Sequence, residues 1–261
     1  MSDNEALVLL EHDAYGIKGA VKLTLNRPQA FNALSESMLD AMEHALKGIG
    51  ESDARVVVIA GAGRAFCAGH DLKEMRAQPA LDYYRELFAR CSRMMLTVQR
   101  IPQPVIARVH GIATAAGCQL VAMCDLAVAS DDARFAVSGV NLGLFCATPS
   151  VPLSRNVSRK AAFEMLVTGD FIDAHTARER GLVNRVAPLA ELDDAVSALA
   201  ASIASKPREA VAAGKRLFYR QLEAGIEGAY ALASETMACN MMDEATLEGT
   251  QAFIEKRAPR W

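Results

Sequence analysis

No run of apolar residues in this chain approaches the length of a membrane-crossing helix, although 51% of its 261 residues are hydrophobic. Cysteine is present but unpaired in pattern. The six cysteines show no CxxC spacing and no Cys/His cluster at zinc-like intervals. They read as small buried thiols in a reducing compartment, and neither a disulfide framework nor a metal site is expected. Basic charge is not in excess: 28 Lys and Arg stand against 31 Asp and Glu, for a net charge of −3. A nucleic-acid footprint is therefore not expected. The N-terminal Met1–Glu5 is acidic and lacks an apolar h-region, so no signal peptide and a cytoplasmic location are expected. Gly61-Ala62-Gly63 lacks the third glycine of a dinucleotide fingerprint.

What is present is enough apolar sequence for a large core. Leu7–Leu10 and Val21–Leu25 read as two strands around a turn, and Pro28 breaks the second. Ser35 caps a helix whose stripe is Met38, Leu39, Met42, Leu46 and Ile49. The apolar run Arg55–Ala60 reads as a buried strand. The small-residue stretch Arg64–Met75 follows it, with Asp71 as a helix N-cap. Strand, small-residue loop and helix start recur at Val109–Met123, with the loop at Thr114–Cys118 and the helix at Gln119–Met123. This repetition suggests a coil of ββα turns. In each, a backbone N–H at a helix start is available to a developing negative charge: that of His70 in the first. Ser138–Pro149 reads as a loop. No strand signal remains after Pro207, where three helices follow, so residues 1–206 read as an α/β core and 207–261 as a helical region packed on the core or on a neighbouring subunit.

Several stretches together resemble the enoyl-CoA hydratase/isomerase (crotonase) family. They are Asn26-Arg27-Pro28 with Asn32-Ala33-Leu34, Ala65–Leu72, Gly111-Ile112-Ala113 leading to Ala116-Gly117-Cys118, Cys124–Ala129, Phe135-Ala136, Asn141-Leu142-Gly143, Ala177–Leu182 with Val186, and Glu248-Gly249 leading to Phe253–Arg257. The resemblance implies an α/β crotonase-like spiral of ββα units with a C-terminal helical trimerisation region, assembled as a homotrimer or a dimer of trimers. It implies a CoA thioester substrate and no separate cofactor. It also implies an oxyanion hole made of the His70 and Ala116 N–H groups. CoA contacts carried over by motif position are Arg27, Ala30, Arg64, Ala68, His70, Asp71, Leu72, Lys73, Phe253 and Lys256. Taken singly, Arg27, Arg64, Lys73 and Lys256 read equally well as solvated surface charges. Ser138, Leu142, Cys146 and Thr148 are the acyl-pocket candidates, with Phe88, Met94, Met95, Leu144 and Phe145 as further apolar lining.

The chain departs from the family where hydration chemistry would lie. The two glutamates of the family's hydratases fall at Gln119 and Gly139. A glutamine can orient a water but cannot take its proton, and a glycine has no side chain. Between Leu87 and Phe163 the only acids are Asp125, Asp131 and Asp132, which read as structural or exposed. Three functions stay open: thioester–enolate chemistry without two-glutamate hydration, decarboxylation or another lyase or hydrolase reaction on a CoA thioester, and acyl-CoA binding without turnover. The His70 side chain is expected to point away from the site.

Overall fold

The computed structural model describes residues 6–261, so the acidic start Met1–Glu5 lies outside the described residues. Two antiparallel strands open the fold, β1 (Val8–His12) and β2 (Ala20–Leu25). In the turn between them the Asp13 carboxylate accepts the Gly19 amide at 2.7 Å. The Ser35 hydroxyl accepts the Met38 amide and starts α1 (Glu36–Gly50), which buries the expected stripe from Met38 to Ile49.

A unit of two strands and a helical segment then occurs three times. The first holds β3 (Val56–Gly61), β4 (Ala65–Cys67), α2 (Leu72–Ala77) and α3 (Leu81–Arg100). The second holds β5 (Val105–Val109), β6 (Ile112–Thr114) and α4 (Ala116–Met123). The third holds β7 (Leu126–Ser130), β8 (Arg134–Ala136), α5 (Ala147–Asn156) and α6 (Arg159–Thr168). After these come β9 (Ile172–Asp173), α7 (Ala174–Glu179), β10 (Arg185–Ala187), α8 (Leu192–Ala204), α9 (Arg208–Leu222), α10 (Ile226–Asn240) and α11 (Glu244–Ile254).

The first strand of every unit joins a six-stranded sheet of order β1-β2-β3-β5-β7-β10, and the second joins a smaller sheet of order β4-β6-β8-β9. Pairing along β2-β3-β5-β7-β10 is parallel, as strands joined by helical crossovers must be. Residues Val56–Ala60 are buried on both faces, which is why they read as a continuous apolar run. The larger core lies between the sheets and α1, α3 and α4. A smaller one lies on the opposite face of the six-stranded sheet, where Leu192, Val196 and Ala200 of α8 cover Val56, Val58, Ile106 and Val128.

Several local expectations are corrected. The unit repeats three times rather than twice. The helix α4 begins at Ala116, so the expected loop Thr114–Cys118 is a strand end, a single turn residue and the first turn of the helix. Gly117 makes this possible: a Cβ there would stand 2.1 Å from the Cys67 carbonyl oxygen, so α4 packs directly on the β4 backbone. The helix α5 starts at Ala147 inside the expected loop, because Pro149 falls in its first turn, where no intrahelical N–H is required. All six cysteines are free and five are buried, but Cys239 is exposed.

The C-terminal helices pack on their own core. Lys215 of α9 reaches the Asp125 carboxylate at 2.7 Å and the carbonyls of Val98 and Gln103 at 3.0 and 2.8 Å. Asp125 also accepts Tyr219 Oη and the Val105 amide, at 2.7 and 2.6 Å. The Trp261 indole donates to the Ser205 carbonyl at 3.1 Å. The outer faces of α9 to α11 leave Phe218, Ile226, Tyr230, Met237 and Phe253 exposed.

Candidate active site

Two backbone turns build one wall of a cavity of about 220 Å³. In the first, the strand β4 ends at Cys67 and Gly69 takes φ +92°. Leu34 N donates to Gly69 O at 2.7 Å, and Asp71 N donates to Leu34 O at 3.4 Å. This is a parallel bridge pairing Leu34 with His70. Leu34 makes both bonds of this bridge, so the N–H of His70, which lies between the two partners, points away from it. The His70 amide is thus turned from Leu34, and it has no acceptor among the described residues. Asp71 then caps α2, accepting the amides of Lys73 and Glu74 at 3.0 and 3.3 Å.

In the second turn, β6 ends at Thr114 and Ala115 adopts φ 50° and ψ −119°, its amide donating to Ala136 O at 3.0 Å. Ala116 opens α4, and its N–H also has no acceptor among the described residues. It is one of the orphan donors at the positive end of the helix. A Cβ on Gly69 would lie 3.1 Å from Ala116 N and 3.0 Å from Ala115 Cβ. The two turns are therefore in contact, and His70 and Ala116 both line the cavity.

The remaining walls are apolar, with Leu72, Met75, Phe88, Leu142, Leu144 and Phe145. Met94 and Met95, expected among them, are core residues instead. Ser138, Cys146 and Thr148 line the cavity as expected, and Ser138 Oγ lies 2.9 Å from Thr114 Oγ1. Gly139 also lines it, and its amide donates to Cys146 Sγ at 3.2 Å. A Cβ on Gly139 would stand 2.5 Å from the Leu144 carbonyl oxygen and 2.7 Å from that sulfur. The space of a side chain at 139 is already filled. Gln119 is buried one turn into α4, with Oε1 unpartnered, and is not among the lining residues.

Among the described residues no Asp or Glu lines the cavity, and its titratable side chains are His70 and Cys146. Both His70 ring nitrogens are buried without a partner, and the ring packs edge-on to Phe88 with centroids 5.5 Å apart. Burial lowers its pKa and keeps the ring neutral. Burial pushes the Cys146 thiol up, partly opposed by the Gly139 amide.

Of the residues expected to hold CoA, three line the cavity: Ala68, His70 and Leu72. Arg27 forms an ion pair with Asp71 at 2.7 Å, and the Arg64 guanidinium lies 4.4 Å over the Phe31 ring. Lys73 is exposed on α2. Asn32 organises the backbone beside Arg27 and Arg64, and its role was not foreseen. Fully buried at φ 55°, it donates to the carbonyls of Ala62, Ala65 and Phe66, and its Oδ1 accepts the Arg27 amide. The motif Asn32-Ala33-Leu34 marked the position, but only the tertiary contacts reveal the clamp. Phe253 and Lys256 lie elsewhere, Phe253 beside Pro207 and Trp261, away from this chain's cavity. Larger clefts of about 810, 780 and 450 Å³ border the C-terminal helices, and none of the three includes His70 or Ala116.

The family model for enoyl-CoA hydratase/isomerase matches residues 16–261. The rat mitochondrial enoyl-CoA hydratase domain-containing protein 3 is 46% identical over 244 residues, covering 93% of this chain and 81% of its own. A crystal structure of an enoyl-CoA hydratase from Mycobacterium smegmatis is 64% identical, with a TM-score of 0.96 over 98% of this chain and 99% of its own. The human enoyl-CoA hydratase domain-containing protein 3 has a crystal structure 43% identical, with a TM-score of 0.93 over 98% of this chain and 100% of its own. The expectation of a cytoplasmic location is overturned here. The relatives from rat, Xenopus laevis, mouse and human are all named mitochondrial proteins. Buried unpaired thiols do not identify the compartment.

Proposed function

The chain belongs to the enoyl-CoA hydratase/isomerase family, and from that premise we propose that its cavity receives the acyl end of a CoA thioester and stabilises the thioester enolate. The observation that carries this reading is the pair of amides of His70 and Ala116, which lack acceptors among the described residues and belong to residues lining one cavity. Both donate to the thioester oxygen, and negative charge developing there strengthens both bonds. Each such donor is worth ~10²–10³ in rate. Arg27, Ala30, Arg64, Ala68, Asp71, Leu72 and Lys73 form the CoA side of the site. Coenzyme A is part of the substrate, and no further cofactor is invoked.

Two-glutamate hydration does not belong to this reading, because no carboxylate lines the cavity among the described residues. The same feature favours a second reading, loss of CO₂ from a malonyl-type thioester. There the breaking C–C bond supplies the enolate's electrons, and no base is needed to remove a proton. Incubation with enoyl-, malonyl- and saturated acyl-CoA thioesters, followed by mass spectrometry, separates the possibilities. Crotonyl-CoA hydration is expected to run orders of magnitude below that of a two-glutamate enzyme. A turnover equal to such an enzyme, lost in Gln119→Ala, would refute this. Loss of CO₂ supports the second reading, and binding without any product identifies an acyl-CoA-binding protein.

The exposed apolar faces of α9 to α11 support assembly into a homotrimer or a dimer of trimers, with Phe253 and Lys256 closing a neighbour's CoA site. Light scattering on a sizing column is expected to give three or six times the 28.0 kDa chain mass. A monomer at micromolar concentration would contradict it.

A further inference from the structure

Enolate chemistry needs a group that delivers a proton to the α-carbon and takes it away again, and the positions matched to the family's acids do not supply one. Gly139 has no side chain, and Gln119 lies outside the cavity lining. Of the two titratable residues that do line it, His70 has both ring nitrogens buried without a partner among the described residues, its ring packed edge-on to Phe88. The other is Cys146. Its sulfur lies 2.7 Å from where a Cβ on Gly139 would be, so the thiol sits directly beside position 139. The Gly139 amide points at that sulfur from 3.2 Å, a donor suited to a transient thiolate. Cys146 shares the cavity with the His70 and Ala116 amides. The loop between β8 and α5 that carries the thiol thus borders the same cavity as the two turns that carry the amides.

We propose that Cys146 is the proton donor and acceptor for the α-carbon of the bound thioester, an assignment that rests on the enolate reading above. In the forward step the enolate carbon takes the proton from Cys146 Sγ. The S–H bond breaks, a C–H bond forms, and the thiolate left behind is held by the Gly139 amide. In the reverse step the thiolate removes an α-proton, and the electron pair of that C–H bond passes to the thioester oxygen held by His70 and Ala116. The thiol exchanges its proton with water between the two. Burial raises the thiol's pKa, which keeps it protonated at rest and ready to donate.

The test is deuterium wash-in. Butyryl-CoA, which carries neither a double bond nor a carboxylate, is incubated with the protein in D₂O, and α-deuteration is followed by mass spectrometry. Calorimetry gives its affinity in parallel. The wild type is expected to incorporate deuterium. Cys146→Ala and the closer isostere Cys146→Ser are expected to lose ~100-fold or more of the exchange rate, with affinity within about twofold of wild type. Exchange at the wild-type rate in either variant overturns the proposal. So does loss of affinity in both variants, which would make Cys146 a packing residue. A wild type that binds butyryl-CoA without exchanging it overturns the Cys146 assignment and leaves the binding reading intact. A wild type that binds no CoA thioester overturns both.

Discussion

At Gly69 a single residue sets the spacing of the two amides. Its φ of +92° is one that residues with a Cβ adopt at a cost, and a Cβ there would press on Ala115 and on the Ala116 nitrogen. Gly69→Ala is expected to cost about 1–3 kcal/mol of stability. It is also expected to push Ala116 N–H away from the site. Affinity for an acyl-CoA then falls by an order of magnitude or more, while that for a thioether analogue, which has no carbonyl, barely changes. Titration calorimetry with both ligands checks this, and an equal loss for both would mean that the cavity rather than the amide pair had been damaged. The same scale explains why position 139 carries no side chain. A glutamate at Gly139 brings its Cβ against Leu144 O and Cys146 Sγ, so the residue cannot be exchanged without moving the loop before α5.

The short helix α2 depends on its cap. Asp71 accepts two amides of the first turn and pairs with Arg27, so a single carboxylate fixes the helix start, the Arg27 side chain and the direction of the preceding His70 amide. Burial pushes its pKa up, but the Arg27 guanidinium and the amides of Glu74 and Lys73 outweigh this and hold it below the ordinary 3.8. A carboxyl whose folded pKa is depressed contributes stability above its unfolded value, and that contribution fades as pH falls through the folded one. Asp71→Ala is accordingly expected to cost about 1 kcal/mol near neutral pH. The gap to wild type should narrow steadily below pH 3.8. Urea denaturation of both proteins across this range is the measurement, and a pH-independent gap would show that the lost stability came from packing. The spacing of α1 made its buried face readable, because a 3.6-residue period survives in sequence. The start of α4 was not readable. Thr114 to Cys118 are all small, and only the contact of Gly117 with the Cys67 carbonyl decides that this stretch is already helical.

Across the whole molecule, the attachment of the C-terminal helices rests on a buried pair. Lys215 and Asp125 have side chains only 6% and 14% exposed, and backbone carbonyls, an amide and Tyr219 satisfy their remaining hydrogen bonds. Removing one partner strands the other charge in the interior. Asp125→Ala is therefore expected to lose about 3–5 kcal/mol. It should also speed hydrogen exchange in α9 well beyond that in β3 or β5. Exchange by mass spectrometry tests this, and uniform acceleration across both regions would show global destabilisation instead. The sequence placed Asp125 at the start of a core strand and gave it a structural role. Its partners, 90 and 94 positions away, became visible only in the fold.

The sequence by itself determined the strands, the amphipathic helices and the family. These follow from local periodicity, capping residues and ordered motifs, all of which are properties of neighbouring residues. It also determined that positions 119 and 139 carry Gln and Gly rather than carboxylates, since a side chain that is not encoded cannot be supplied by folding. The tertiary structure decided which groups face the ligand space. It brought Gly69 against Ala116, turned the His70 ring nitrogens into the interior, left Gln119 outside the lining, and set the Cys146 sulfur beside Gly139. Those outcomes depend on backbones from separate turns of the spiral meeting so closely that a Cβ on Gly69 or Gly117 would clash, a proximity that pattern along one chain does not encode.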